Sequence, residues 1–118
     1  MKYTVRKKSD NLQTFSYYGY IDGEYAGFVS GLAKGSHVFD IQKSYLVDKF
    51  RGTKTVRAFR EIINAVQADY DVIRSRIDNK DNAEIKIVLS AGFHIIGTVS
   101  YKDEIAVELL KIKEDVDG

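Results

Sequence analysis

The sequence has no cysteine, no proline and no tryptophan, and only one methionine and two histidines among its 118 residues. Without cysteine there is no disulfide framework, thiolate zinc site, iron–sulfur cluster or cysteine nucleophile. His37 and His94 lie far apart in the chain and neither sits in a spaced histidine–carboxylate motif, so no metal is expected. The absence of proline removes the usual stiffener of linkers and long loops and fits a compact chain with short connections. An excess of one charge sign is also missing. Eighteen Lys and Arg against 17 Asp and Glu leave a formal charge of +1, so no overall field draws the chain to nucleic acid or anionic lipid, and any anion site must be local. The start, MKYTVRKKSDN, has charges but no apolar stretch after them, which reads as neither signal peptide nor membrane anchor and makes a cytoplasmic protein the expectation.

What is present is the composition of a single globular domain spanning residues 1–118, with 44% hydrophobic residues, eight tyrosines and six phenylalanines. Lys2 to Lys7 reads as a first strand, followed by the polar, turn-like KKSDNLQT. From Phe15 to Leu32 two aromatic-rich runs hinge on Asp22-Gly23, a pair that tolerates positive φ at both turn positions, and this predicts a hairpin. His37 to Val47 alternates imperfectly and reads as a third long strand of the same meander.

The period then changes. Val56, Phe59, Ile62, Ile63, Val66 and Tyr70 recur at spacings of three and four, which lines one face of an amphipathic helix from Thr53 to Tyr70. Asp71 to Ile77 alternates again, and a strand–helix–strand unit makes the local pairing parallel. Asp81 with Glu84 three residues on has capping-box spacing, and Gly92 sits where a left-handed residue ends a helix. Two apolar runs, Phe93 to Tyr101 and Ile105 to Ile112, flank Lys102-Asp103-Glu104 as a closing hairpin, and the acidic end EDVDG reads as frayed. The fold class is therefore α+β, a mixed, mostly antiparallel sheet of six or seven strands with two main helices.

Three stretches carry a family resemblance: YIDGEYAGFVS, YLVDKFRGTKTVRAFREIINAV and RIDNKDNAEIKIVLSAGFHIIGTV, together running from Tyr20 to Val99. They resemble the hairpin between the second and third strands, the end of the fourth strand with the pyrophosphate loop and its helix, and the fifth-strand-to-sixth-strand unit of the Gcn5-related N-acetyltransferase (GNAT) superfamily, in an abbreviated and divergent form. The resemblance implies acetyl-CoA as cosubstrate, an amine acceptor and acetyl transfer between them. It is weighed against a non-catalytic binding or assembly module on the same scaffold. The chain is also similar to small acetyltransferase-like proteins encoded by bacteriophages. Nucleic-acid binding through the basic stripe is a third and weaker reading, since the net charge is near zero.

By the resemblance, Arg51, Gly52, Thr53, Lys54 and Thr55 cradle a pyrophosphate at a helix start, where unpaired N–H groups and the positive end of the helix dipole favour anions. Arg51 holds the first motif position, while Lys54 and Val56 stand where the family has glycine. Arg51, Lys54, Arg57 and Arg60 form a cationic stripe that a phosphate would offset. Backbone amides from Leu46 to Lys49 are the candidates for polarising the thioester carbonyl, with Val47 first among them. The family's thiolate-protonating tyrosine falls on Val88, so Tyr101 and Asp40 are carried as the acid and base candidates, with Tyr45 and His94 behind them. Asn82 is a possible cofactor neighbour and a more ordinary helix cap. The family's two acceptor-side helices do not fit in KKSDNLQT, which leaves that side open or completed by a second subunit. Tyr17, Tyr18 and Tyr20 could edge a homodimer or pack the sheet, and packing is the expectation.

Overall fold

Each change of hydrophobic period in the sequence falls at a boundary between elements. The computed structural model describes residues 1–49 and 52–114. They form strands β1 (Tyr3–Ser9), β2 (Thr14–Ile21), β3 (Glu24–Lys34) and β4 (Val38–Leu46), helix α1 (Thr53–Asp69), strand β5 (Val72–Asp78), helix α2 (Asn82–Ser90), and strands β6 (His94–Tyr101) and β7 (Glu104–Ile112). The expected Asp-Gly turn joins β2 to β3, with φ of 50° at Asp22 and 81° at Gly23. Only Asp10–Gln13 separates β1 from β2. The Asn11 side-chain oxygen accepts from the Gln13 and Thr14 amides, both at 2.9 Å, and ties that link into a tight turn with no room for helices. The end of the acidic tail, residues 115–118, lies outside the described residues, as does Arg51.

The seven strands make one sheet in the order β1-β2-β3-β4-β5-β7-β6, antiparallel throughout except between β4 and β5. That parallel contact is short. It runs from Val38 opposite Val72 to Asp40 opposite Arg74, after which β4 continues to Leu46 and β5 to Asp78 on separate courses. The sheet therefore opens into a wedge.

Side chains alternate across a strand, so Phe39 and Ile73 face the core while their neighbours Asp40 and Arg74 face the other way. α1 lays Phe59, Ile62, Ile63 and Val66 on the core face, and Val88 of α2 joins the same cluster with Tyr17 and Leu109. Both helices thus cover one face. The other carries Tyr18, Tyr25 and Phe28 in ring contact, with centroids 5.9 and 6.5 Å apart along the chain of rings. Of the three hairpin tyrosines, Tyr17 is core and Tyr18 and Tyr20 pack among rings on the bare face. No described helix is long and apolar enough to cross a membrane.

Candidate functional site

The wedge between β4 and β5 ends in a cavity of about 660 Å³. Leu46, Val47 and Asp48 at the end of β4 form one wall, Gly52, Thr55 and Val56 at the start of α1 a second, and Ala83, Lys86, Ile87 and Ser90 of α2 a third. The α2 residues recur at spacings of three and four and so present one helical face. A second hollow of about 380 Å³ shares Leu46, Asp48, Ala83 and Ile87 with the first and reaches inward past Ser44, Glu84 and Val88. The two are contiguous along the end of β4 and the facing side of α2.

The start of α1 is left without a side-chain cap, and its first turn holds no acidic residue. Its N-terminal amides, at the positive end of the dipole, therefore donate no hydrogen bond to an N-cap side chain. Gly52 stands at the N-cap with φ 67°, a conformation that side chains other than glycine's rarely adopt, and this one glycine makes the turn from loop to helix. Val56 does not plug the site. It is half-buried and forms part of the wall, with the cavity open beside it. It was expected among the core positions of α1, but at this first turn the same helical face borders the cavity and not the main core cluster.

The cationic stripe divides into two kinds of residue. The Arg57 guanidinium sits 5.3 Å from the Tyr3 ring centroid, and Arg60 donates to the Ser90 carbonyl at 3.1 Å, where it caps the end of α2. Lys54 stands exposed on the first turn, and Thr53 borders a smaller hollow of about 430 Å³ that shares Gly52 and Val56 with the first. Lys86, which the sequence reading missed, supplies a cation from the opposite wall. Asn82 is exposed as the first residue of α2 and neither lines the cavity nor caps the helix. Asp81 is the cap, its Oδ1 accepting from the Glu84 amide at 3.1 Å.

The expectation for the Val47 amide is overturned. It donates to the Ala26 carbonyl at 2.8 Å and belongs to the sheet. Amides alternate between the two edges of a strand, so the Leu46 amide turns to the edge that faces the wedge. A bulge decides this. Ser30 pairs with Lys43 but Gly31 with Ile41, which leaves Gln42 as an extra residue and shifts the alternation by one.

Glu84 borders the inner hollow beside Asp81. Its Oε1 accepts from the Ser44 hydroxyl at 3.2 Å, a bond that spans the gap between β4 and α2. Burial pushes its carboxyl above the ordinary glutamate range, and the Asp81 carboxylate beside it adds to the rise against the opposing Ser44 hydrogen bond. That is the condition of a carboxylate ready to accept a proton nearer neutral pH. Tyr45 borders the inner hollow.

Asp40 and Tyr101 are not brought to these walls. Asp40 faces the opposite side of the sheet, bonded to Arg74 at 2.9 Å and Lys34 at 3.3 Å. Burial raises its pKa, but those two cations outweigh it and hold the carboxyl below its usual range. Tyr101 accepts at 3.1 Å from Arg76, which is itself paired to Glu108 at 2.8 Å, at the outer hairpin. His94 is exposed at the start of β6.

Comparison with solved structures identifies the fold as that of the GNAT acetyltransferases. The Bacillus subtilis acetyltransferase in complex with CoA matches over 96% of this chain and 100% of its own, with a TM-score of 0.72 and 11% identity. An aminoglycoside acetyltransferase in complex with coenzyme A matches over 86% and 67%, with a TM-score of 0.68 and 17% identity. Nourseothricin acetyltransferase matches over 86% and 66%, with a TM-score of 0.64 and 16% identity. The chain thus spans about two thirds of the length of the last two. By sequence alone, no family model and no curated protein matches.

Proposed function

We propose that this chain binds acetyl-coenzyme A in the β4–β5 wedge and transfers its acetyl group to an amine. The observation that carries this reading is the uncapped start of α1 opening onto a cavity of about 660 Å³ that leads to a strand edge. Diphosphate would lie on the amides of Thr53, Lys54 and Thr55, with Lys54 and Lys86 as counter-ions from two sides. The Leu46 amide would polarise the thioester carbonyl oxygen. In the transfer the amine nitrogen bonds to the carbonyl carbon, the carbon–sulfur bond breaks, and an amide and a thiol result. Glu84 accepts the amine proton, and water protonates the leaving thiolate, since Val88 is a core side chain at 2% exposure where the resemblance sets a tyrosine.

Titration calorimetry with acetyl-coenzyme A tests the binding. Micromolar affinity that falls at least about tenfold (about 1.4 kcal/mol) in the double variant Lys54→Glu, Lys86→Glu is expected, and no heat at millimolar ligand would sink the proposal. Val88 also favours a second reading, a cofactor-binding or assembly module without turnover, of the phage-like kind. Release of free thiol with a panel of amine acceptors separates the two, because the module binds and releases none.

A further inference from the structure

Residues paired across strands share a face of the sheet, so the bare side of Tyr18 on β2 continues through Phe28 of β3 to Tyr45 of β4. Its rings form a row. By ring centroids Tyr20 lies 6.2 Å from Tyr25, Tyr25 6.5 Å from Tyr18, and Tyr18 5.9 Å from Phe28, with planes tilted by 41–64°. Packing against one another leaves Tyr25 38% and Tyr45 50% exposed. The same register sets Arg6 opposite Tyr18, Lys8 opposite Ser16 and Lys43 opposite Ser30, and the Arg6 guanidinium lies 5.6 Å from the Tyr20 ring centroid. Among the described residues none of these three cations enters an ion pair. Acids to neutralise them are scarce. Glu24 stands opposite Ile21 on the covered side and pairs with Lys49, while Asp40 is already held by Arg74 at 2.9 Å and Lys34 at 3.3 Å. Asp10, in the turn after β1, accepts from the Ser16 hydroxyl at 2.6 Å and is the one further carboxylate beside the row among the described residues. A chain of formal charge +1 thus carries a local cationic excess around an aromatic row.

We infer that this bare face binds single-stranded nucleic acid, with bases stacked on Tyr25 and Tyr45 and phosphates against Arg6, Lys8 and Lys43. A nucleotide brings both partners the surface asks for, a π-face for a ring and an anion for a cation. Other occupants use only half of it. A neutral sugar would lie on the rings and leave the cations unmet, an acidic peptide would do the reverse, and a second copy of the same face would bring the same cations to the seam. A duplex keeps its base faces stacked inside, so the single strand is the form that fits. The row crosses three strands at about 4.8 Å each, room for roughly two stacked bases. This surface is distinct from the basic stripe of α1, which lies on the covered side, and it does not depend on the acetyl-transfer reading.

Fluorescence anisotropy of the full chain with labelled oligo-dT and oligo-U tests the inference. Affinity is expected to fall about 20-fold between about 50 and 200 mM salt, as three phosphate contacts require. Tyr45→Ala and Tyr25→Ala should each weaken binding at least about fivefold and leave that salt dependence unchanged. The double variant Arg6→Ala, Lys43→Ala should flatten it. All four positions are exposed, and far-ultraviolet circular dichroism checks that each variant folds. Should Tyr25→Ala disturb the row, Tyr25→Phe keeps the ring and should bind as the wild type does. Any of four results overturns the proposal: no binding at the lower salt, a duplex of the same length held as tightly, displacement by polyglutamate as readily as by an unlabelled strand, or loss of binding in Lys54→Glu, Lys86→Glu in place of the tyrosine variants.

Discussion

The two ends of helix α1 treat their polar groups in opposite ways. At the C-terminal end, Asp69 accepts from the Tyr17 hydroxyl at 2.6 Å and from Lys7 at 3.1 Å. The Lys7 ammonium lies 4.7, 5.5 and 5.6 Å from the ring centroids of Phe15, Tyr17 and Tyr70, inside a cage of its own chain. Gln67 donates to the carbonyls of Tyr70 and Asp71 just past the helix. A hollow of about 510 Å³ exists there too, lined in part by the paired Lys7 and Asp69, although the buried Gln67 Oε1 close by accepts no hydrogen bond among the described residues. At the N-terminal end the cap and the acidic residue are missing, and the cavity is of similar size. Volume therefore does not distinguish the ends. What sets the N-terminal end apart is its first turn, which has neither a side-chain cap nor an acidic residue, and the proposed reading rests on that.

The largest effect expected is at the closed end. Tyr17 is 1% exposed, and Tyr17→Ala removes both its core packing and the hydroxyl bound to Asp69, which should cost about 3–5 kcal/mol in urea denaturation. Affinity of the folded fraction for acetyl-coenzyme A should be unchanged. If it falls as well, the two ends are not independent. The same end sets an acid limit. Burial raises the Asp69 pKa, but the Tyr17 and Lys7 hydrogen bonds outweigh it and leave the pKa lowered. Its stabilising share is thus present above the ordinary aspartate range and lost as pH falls through the lowered value. Tyr17 is the mirror case, raised first by burial and then by Asp69, so its hydroxyl stays protonated as a donor.

Next in size is Glu84, which belongs to the open end. Glu84→Gln keeps an oxygen for the Ser44 hydroxyl but cannot take a proton, and the rate of transfer should fall about 10²–10⁴-fold. In the wild type the acid limb of the rate profile should lie above the ordinary glutamate range, because the proposed base, Glu84, has a raised pKa. Stability carries the opposite sign. A carboxyl whose folded pKa is raised stabilises the fold while protonated and loses that share as pH rises through the folded value, so at neutral pH the glutamine variant should be at least as stable as the wild type. A variant that is both slow and unstable would make Glu84 a structural residue.

Much of this fold was legible because local chemistry and tertiary structure agree. Asp22-Gly23 could turn by positive φ and does, Asp81 could cap and does, and Gly92 follows the end of α2 with φ 98°. The site was less legible, for identifiable reasons. The choice between the Leu46 and Val47 amides depends on one extra residue in β4, and Gln42 carries no local mark of a bulge. Asp40 lies on an inner strand as expected, but Arg74 and Lys34, distant in sequence, decide that it is a paired anion. Lys86 and Glu84 had a signal that went unused: Ala83, Lys86, Ile87 and Ser90 share a helical face, and Glu84 stands at its start. Glu84 read as half of a capping box, whereas its side chain reaches across to Ser44.

The smallest expected effect is the one that most sharply separates the ends of α1. Thr53→Asp supplies the acidic residue that the first turn lacks. A carboxylate there meets the positive end of the dipole and the unpaired amides, which should raise unfolding stability by about 0.3–1 kcal/mol. A diphosphate needs the same amides and the same field, so the carboxylate acts as a built-in competitor and affinity for acetyl-coenzyme A should fall. Thermal denaturation without ligand and calorimetry with it should therefore move in opposite directions. If the helix start is open only because selection never filled it, the substitution stabilises the chain and leaves binding untouched. Opposite signs from one side chain would instead mean that stability is given up at this turn to keep it receptive to an anion.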